Sequence, residues 1–283
     1  MMATTPYIIE RDQWPRYAAP AVDPAQWSAV IAAAGRGSRL GFNLPKILFP
    51  VADRTILDWL LDLLLPCCQT AVFVLSPDGQ KDVEPELERR APGRYRIAIQ
   101  EVPTGMGDAI AIGAQFVETK NTAVIWGDQV AVRPQSIDAV LRIHQGPLEP
   151  AMTVPTVLRA NPYTHFERDA DGRITRLLQV REGDKLPAQG ESDSGFFCFR
   201  TEILRKLLDE MRGDPIATGA VTGEFNMVPI FPFAAARGLR VVSPRVMDIE
   251  ETVGINSPAD AARIEPYLRR GLSNAAPMEG IHG

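Results

Sequence analysis

The sequence predicts an α/β fold of three layers, in which helices cover both faces of a mostly parallel central sheet. Short apolar runs occur at intervals along the chain, as expected for parallel strands that are buried on both faces. Segments with helical periodicity separate these runs, which is the pattern of a wound, Rossmann-like sheet. At 283 residues the chain suits one large α/β domain, or two small ones, with a full core.

The individual elements follow from apolar periodicity and from the glycines and prolines between segments. Strands are predicted at 28–34, 71–75, 95–100, 122–128, 151–157, 173–179 and 194–199. Helices are predicted at about 55–65, 81–90, 109–117, 134–143, 201–211, 227–236 and 259–268. A turn that contains Asp171-Gly172 predicts a hairpin whose return strand begins at Arg173.

Charge and cysteine content exclude several classes of protein. The chain carries 30 basic and 35 acidic residues, a net charge of −5, which argues against nucleic acid as its main partner. Cys67, Cys68 and Cys198 do not form a disulfide framework, so a reducing, cytoplasmic location is expected. The longest apolar stretch, 56–65, contains two acids and is too short to span a bilayer, so no membrane partner is expected.

The two ends of the chain differ in composition from the rest. The first 27 residues contain four prolines and no apolar core segment, unlike a secretory signal. We expect residues 1–27 to form an arm on the surface or at a subunit contact, which leaves a homo-oligomer open. The main domain is expected at 28–272, and a loose tail at 273–283.

The first predicted strand ends in a glycine-rich loop that is suited to binding a polyphosphate. Glycines let the backbone turn sharply and approach a ligand, and the loop N–H groups can donate to phosphate oxygens. Arg36 and Arg39 lie in this loop, and Pro45 holds the next segment extended so that Lys46 can point back at it. The strand, the loop and the lysine together predict a site for a nucleoside triphosphate.

Two common phosphate loops do not fit this stretch. The dinucleotide-binding motif needs a third glycine where Leu40 stands, and a Walker loop needs Gly-Lys followed by Ser or Thr. Glycines alone would also fit a tight strand-to-helix turn without a ligand. The segment instead resembles the G-x-G-x-R-[LM]…P-K motif of the sugar-phosphate nucleotidyltransferases, also called nucleoside-diphosphate-sugar pyrophosphorylases, through Gly35-Arg36-Gly37-Ser38-Arg39-Leu40 and Pro45-Lys46.

The resemblance covers about residues 28–265 and is greatest to the uridyltransferase domain of N-acetylglucosamine-1-phosphate uridyltransferases. Their motif Q-x-x-x-x-G-T-[AG]-x-A corresponds to a segment in which Met106 replaces the usual threonine. The resemblance implies that Gln100 reads the hydrogen-bonding edge of a pyrimidine and that Gly105 packs beneath the base. The implied nucleotide-binding residues are Ala33, Ala34, Gly35, Arg36, Gly37, Ser38, Gln100, Gly105, Met106 and Gly127. The implied catalytic residues are Arg39 and Lys46. Arg39 would bind the β- and γ-phosphates, and Lys46 would lie between the α-phosphate and the acceptor phosphate.

A metal site is expected where the strand 122–128 ends in Gly127-Asp128. A carboxylate at the carboxyl end of a central strand lies where open α/β sheets bind ligands, and an oxygen donor there suits Mg²⁺. A helix or turn cap is the alternative role for Asp128. The resemblance adds Asn256 as the second metal ligand, and an asparagine before Ser-Pro is also an ordinary helix N-cap.

The resemblance further implies that a small β-rich insertion, about 151–200, folds over the sheet and binds the acceptor. The implied acceptor-binding residues are His165, Gln179, Asp193 and Glu224. The uridyltransferases have glycine, glutamate and asparagine at the first three of these positions, so we expect an acceptor other than N-acetylglucosamine 1-phosphate.

The implied reaction is Mg²⁺-dependent transfer of a nucleotidyl group, pyrimidine favoured, to a sugar 1-phosphate or another small phosphate monoester. One alternative is a cytidylyltransferase for a phosphorylated amino alcohol, whose cation Asp193 could pair. A second is a non-catalytic regulatory module of the same fold, which the presence of Lys46 and Asp128 disfavours. A glycosyltransferase of similar fold is disfavoured because Gln129-Val130 follow Asp128 where such enzymes have D-x-D.

Overall fold

A computed structural model describes residues 6–246 and 248–274 of the chain, and the fold consists of fourteen strands and eight helices within them. The strands are β1 (Ile8–Ile9), β2 (Trp27–Ala32), β3 (Pro50–Val51), β4 (Arg54–Thr55), β5 (Thr70–Leu75), β6 (Tyr95–Ile99), β7 (Asn121–Trp126), β8 (Met152–Thr153), β9 (Thr156–Ala160), β10 (Thr164–Arg168), β11 (Ile174–Gln179), β12 (Gln189–Asp193), β13 (Phe196–Arg200) and β14 (Val241–Pro244). The helices are α1 (Trp14–Tyr17), α2 (Ile56–Leu64), α3 (Pro77–Arg90), α4 (Met106–Ala114), α5 (Pro134–His144), α6 (Thr201–Met211), α7 (Ile230–Ala236) and α8 (Pro258–Asn274).

Eight strands form one central sheet in the order β1-β14-β8-β13-β7-β2-β5-β6. Every pair in it is parallel except the two pairs that β13 makes with β7 and β8. The expected α/β fold with a mostly parallel sheet is confirmed. Within the described ranges, no helix has the length and the apolar character needed to cross a membrane.

The sheet buries an apolar layer on each face. One layer contains Ile56, Leu60 and Leu64 of α2, which lie against β2 and β5 together with residues of α3, α5 and α8. The other contains residues of α4, α6 and α7, where the Phe231 ring packs 5.3 Å from Phe197 and 5.8 Å from Phe199 between centroids. Two filled layers hold the strands rigidly, so the loops at the strand ends have fixed starting points.

The register of β2 with β7 sets the position of the site. Ala32 pairs with Trp126, so both strands end at the same level of the sheet. The Gly127 N–H donates to the Ala32 carbonyl at 3.1 Å, and a β-carbon at Gly127 would lie 2.5 Å from that oxygen. Only glycine allows this approach, which brings the glycine-rich loop beside Asp128.

The N-terminal segment is part of the sheet rather than a separate arm. Residues of β1 pair in parallel with β14, and Ile9 is fully buried against Ile143 and Val242. Neither β1 nor β14 is predicted from the sequence, because two and four residues are too few for a periodic pattern. At the other end, α8 continues to Asn274, and residues 275–283 of the expected tail lie outside the described residues.

Within the expected insertion 151–200, β8 and β13 belong to the main sheet, and only residues 156–193 between them form two small sheets beside it. The predicted hairpin is present as β10 and β11, and β12 pairs with β9. The strand predicted at 151–157 is divided into β8 and β9, because Pro155 lacks the N–H that a continuous ladder needs. Glu191 ties the insertion to the main sheet, since its carboxylate binds Arg168 at 2.6 Å and Arg245 at 3.1 Å.

Candidate active site

The glycine-rich loop closes on itself and returns Lys46 to the sheet edge. The Lys46 N–H donates to the Gly35 carbonyl at 3.1 Å, and Arg36 forms an isolated antiparallel bridge with Pro45. Between these contacts lies a single 3₁₀ turn, Ser38–Leu40. The extended backbone at Pro45 thus places Lys46 beside the end of β2, as the sequence predicts.

Lys46 lies between the two predicted metal ligands. Its Nζ is 2.6 Å from Asp128 Oδ2 and 3.0 Å from Asn256 Oδ1. The side chains of Lys46 and Asp128 are 18% and 17% exposed, so the cluster is screened from bulk water but open to a ligand. Three residues separated by 82 and 210 positions in sequence therefore meet at one point.

The loop that carries Asn256 is fixed from both sides. The Ile255 N–H donates to the Asp128 carbonyl at 3.0 Å. Ser257 caps α8, because its Oγ accepts from the Asp260 N–H at 3.2 Å and donates to the Asp260 carboxylate at 2.8 Å. The capping role considered for Asn256 thus belongs to Ser257, and the Asn256 side-chain oxygen faces Lys46 instead.

Asp128 Oδ2 and Asn256 Oδ1, which both accept from Lys46 Nζ, are oxygens that could also bind a hard cation. They converge on one cationic atom, and carboxylate and amide oxygens are ligands that Mg²⁺ accepts. Throughout the described residues, no group of three or more His, Cys, Asp or Glu side chains could hold a metal ion. A site of two protein oxygens fits a metal that is held mainly by substrate phosphates and water.

The loop arginines lie at the entrance of the site. Arg36 pairs with Asp78 at 2.9 Å, and because both side chains are about three-quarters exposed this pair adds little stability. Arg39 is exposed and bonds to none of the residues that the structure describes. Ser38 is also exposed at the surface of the loop, whereas Ala33 continues the sheet edge through its N–H to the Val74 carbonyl.

The predicted base-reading residues lie together at the start of α4. Gln100 is buried, and its Nε2 donates to the Gly105 carbonyl at 3.1 Å. Gly105 has φ of 125°, and a β-carbon there would lie 2.5 Å from the Phe225 carbonyl oxygen. The glycine is thus required by the protein's own segment 224–226, and Met106 begins α4 with its side chain half-buried.

Three of the predicted acceptor residues, His165, Gln179 and Asp193, lie in the insertion, and two of them have side-chain hydrogen bonds within it. His165 Nδ1 accepts the Glu191 N–H at 2.9 Å, which leaves the other ring nitrogen to carry the proton of the neutral ring. Asp193 accepts from Thr164 Oγ1 at 2.7 Å and from the Gly195 N–H at 2.9 Å. Burial raises the pKa of Asp193 despite these bonds.

The other two predicted acceptor residues, Gln179 and Glu224, contact the charged loop 181–185. The Gln179 N–H donates to Asp184, and Glu224 pairs with Arg181 at 2.6 Å. Glu182 beside it binds the segment 221–226 through Val221 N–H, Thr222 N–H, Thr222 Oγ1 and Asn226 Nδ2. The charged loop at 181–185, which resembles a solvated turn in sequence, therefore holds this segment over the insertion.

Asp108 is a further residue of the site that the sequence analysis did not select. Its Oδ2 accepts from Thr104 Oγ1 at 2.7 Å and from Gln100 Nε2 at 3.4 Å, and its Oδ1 pairs with Arg212 at 3.0 Å. Burial pushes the pKa of Asp108 up, but the bonds from Thr104, Arg212 and Gln100 outweigh it and hold the pKa below its ordinary value. In the sequence, only the spacing of Thr104 and Asp108 around the start of α4 indicates that these two side chains could bond.

A model of MobA-like NTP transferase domains matches residues 29–192, which is more than half of the chain. The chain belongs to this family of NTP transferase domains. The matched segment includes Lys46, Gln100 and Asp128 and ends before Asn256.

Two curated relatives of this NTP transferase domain are the bifunctional proteins GlmU of Carboxydothermus hydrogenoformans and Desulfitobacterium hafniense (strain Y51). They are 26% and 29% identical over 89% and 90% of this chain. Each alignment covers 55% of the relative, so the chain spans about half the length of these curated relatives.

Solved structures confirm the fold class. The inositol-1-phosphate CTP transferase from T. maritima has a TM-score of 0.64 at 15% identity, over 89% of this chain and 99% of that one. The 4-diphosphocytidyl-2C-methyl-D-erythritol synthase from Anaerococcus prevotii has a TM-score of 0.60 at 14% identity, over 88% and 100%. At these identities the likeness concerns the arrangement of the sheet and its helices.

Proposed function

We propose that the protein is a Mg²⁺-dependent nucleotidyltransferase that joins a nucleoside triphosphate to a small phosphate monoester and releases pyrophosphate. The observation that carries this proposal is the meeting of Lys46 with Asp128 and Asn256 at the carboxyl ends of β2 and β7. Ligands bind at this edge of open α/β sheets. A non-catalytic module would not need a half-buried lysine held between two oxygen ligands.

The protein's part in the reaction is electrostatic. The acceptor phosphate is an anion near neutral pH, so no general base is required, and the protein must position two anions and offset the charge that develops. Arg39 and the N–H groups of the loop, from Gly35 to Ser38, bind the β- and γ-phosphates. Lys46 lies between the α-phosphate and the incoming phosphate oxygen.

Asp128 and Asn256 are the residues that would hold Mg²⁺. When bound, the metal would neutralise charge on the phosphates and help align them. Lys46 Nζ bonds to both oxygens in this structure, so these bonds would have to be released for a cation to bind there.

No histidine acts as a general base in this proposal. His144 is buried in the core, His165 bonds to the backbone of the insertion, and His282 lies outside the described residues. Chelation of Mg²⁺ should abolish pyrophosphate release, and the rate should follow ionisation of the acceptor phosphate. Loss of kcat at saturating acceptor in a folded variant that lacks all three histidines would contradict this account.

We propose a pyrimidine nucleoside triphosphate as the donor, because Gln100 and Gly105 form the base-reading pair. For the acceptor, a hexose 1-phosphate other than N-acetylglucosamine 1-phosphate fits the replacement of glycine, glutamate and asparagine by His165, Gln179 and Asp193. A phosphorylated amino alcohol is the second candidate. It is favoured by Asp193, whose half-buried carboxylate has hydrogen bonds but no cationic partner among the described residues.

The test is pyrophosphate release by the whole protein with CTP, UTP, dTTP, GTP and ATP against a panel of acceptors. The panel contains hexose 1-phosphates, N-acetylglucosamine 1-phosphate and phosphorylated amino alcohols. We expect a pyrimidine nucleotide to give the highest kcat/KM. A purine preferred by tenfold or more, or N-acetylglucosamine 1-phosphate ranked first, would refute the corresponding part of the proposal.

A further inference from the structure

The network around Asp108 fixes which way the Gln100 amide points. A backbone carbonyl and an ionised carboxylate can only accept hydrogen bonds. The amide atom that faces both Gly105 O, at 3.1 Å, and Asp108 Oδ2, at 3.4 Å, must therefore be the donor Nε2. This assignment follows from the partners and does not depend on how the amide was first placed.

The other amide atom is left for a ligand. Gln100 Oε1 accepts no hydrogen bond from any described residue, and it is not among the side-chain atoms that are sealed from solvent without a partner. The backbone N–H of Gly105, whose carbonyl accepts from Gln100, donates to no described residue either. Gln100 thus offers a ligand an acceptor, and Gly105 has a backbone donor without a partner among the described residues.

We infer that Asp108 is a positioning residue for nucleobase selection, because it holds Gln100 so that this side chain can only accept a hydrogen bond from the base. The inference rests on the proposed nucleotidyl transfer. The base must then present an N–H group to Gln100, which is N3–H in uracil or thymine and the N4 amino group in cytosine. A triphosphate whose base lacks that N–H should lose the contact and leave Oε1 unpaired.

Asp108 suits this role because its other contacts hold it in place. Thr104 Oγ1 donates to the same Oδ2 at 2.7 Å, and Arg212 from the end of α6 pairs with Oδ1 at 3.0 Å. The Arg212 guanidinium also lies over the Phe225 ring, 5.4 Å from its centroid. Asp108 therefore connects the base-reading loop to α6 and to the segment that packs on Gly105.

The experiment compares nucleotide binding by the wild-type protein with Asp108→Ala, Asp108→Asn, Gln100→Ala and the double alanine variant. Dissociation constants for CTP, UTP and dTTP with Mg²⁺ are measured by calorimetry, and thermal melts check folding. Glu202→Ala is the matched control, because it removes an exposed carboxylate from the first turn of α6. Probes that lack the base donor, 3-methyluridine and N4,N4-dimethylcytidine triphosphates, are included.

We expect Asp108→Ala to weaken binding of the preferred nucleotide by roughly tenfold and to reduce discrimination against the probe that lacks the base donor. The double variant should bind no more weakly than Gln100→Ala alone, because Asp108 acts through Gln100. Asp108→Asn keeps an acceptor and should restore part of the affinity. The wild type, but not Gln100→Ala, should discriminate against the probe that lacks the donor.

Additive effects of the two alanine variants would overturn the inference, as would unchanged discrimination by Asp108→Ala against the probe that lacks the base donor. In either case the wild type would still bind and turn over a triphosphate, so the proposed function would stand. A wild-type protein that binds no triphosphate and releases no pyrophosphate would overturn the proposed function together with the inference. Melting temperatures separate both results from loss of folding.

Discussion

Lys46 and Asp128 give the sharpest prediction at the scale of single residues. Changing either one to alanine should lower the rate of pyrophosphate release by about 10²–10³-fold, as expected when one electrostatic stabiliser is removed from a preorganised site. Lys206→Ala is the control, because Lys206 is an exposed lysine of α6 whose contact with Glu210 is 3.8 Å. Near-normal turnover in either site variant, with the fold retained, would rule out the assignment.

His144 predicts how the stability of the protein depends on pH. It lies in the core beside Trp27, its Nδ1 is 2.9 Å from Thr153 Oγ1, and burial lowers its pKa from 6.5 to about 3. The unfolded chain binds a proton below pH 6.5 that the folded protein does not bind. This contribution to stability is therefore complete above pH 6.5 and is lost as the pH falls towards 3.

The measurement is the free energy of unfolding in urea between pH 8 and pH 5 for the wild type and for His144→Phe, which keeps a ring beside Trp27. The wild type should lose about 2 kcal/mol more than the variant between pH 8 and pH 5. Equal pH dependence in the two proteins would show that His144 does not remain neutral in the fold.

At the scale of elements, the contacts of Glu182 predict that this residue keeps the segment 221–226 closed over the insertion. Its carboxylate accepts four hydrogen bonds from that segment, and charged acceptors are worth more than neutral ones. In Glu182→Ala, amide exchange in 221–226 should be about tenfold faster or more, and KM for both substrates should rise. Glu167→Ala, on β10 of the same insertion, is the control and should change neither quantity.

At the scale of the whole molecule, the N-terminal strand is expected to contribute to global stability. Ile9 is fully buried at the edge of the main sheet, against residues from α5 and β14. Ile9→Ala should cost about 2–5 kcal/mol, the range for a buried isoleucine. Urea unfolding measures this, and Ile8→Ala, at the half-buried neighbouring position, should cost less. Equal effects would mean that β1 does not anchor the segment.

Local chemistry in the sequence determined the fold class and much of the site. The run 28–34, its glycine-rich loop and Pro45-Lys46 are contiguous, so their apolar pattern and backbone restrictions predict a strand, a turn and a returning lysine. The hairpin 164–179 and helices such as α2 and α6 were also predicted, because their periodicity extends over enough residues to be recognised. Asp128 was selected because a strand end at a sheet edge is itself a local feature.

Only the tertiary structure decided which distant residues meet. The placement of Asn256 on Lys46, the binding of Glu182 to 221–226 and the support of Gln100 by Asp108 all join separate parts of the chain. The short strands β1 and β14 form because each supplies the other's hydrogen bonds and buries Ile9, which neither sequence alone encodes. Such contacts depend on close packing of separate elements, and the periodicity of a single segment carries no information about its partner.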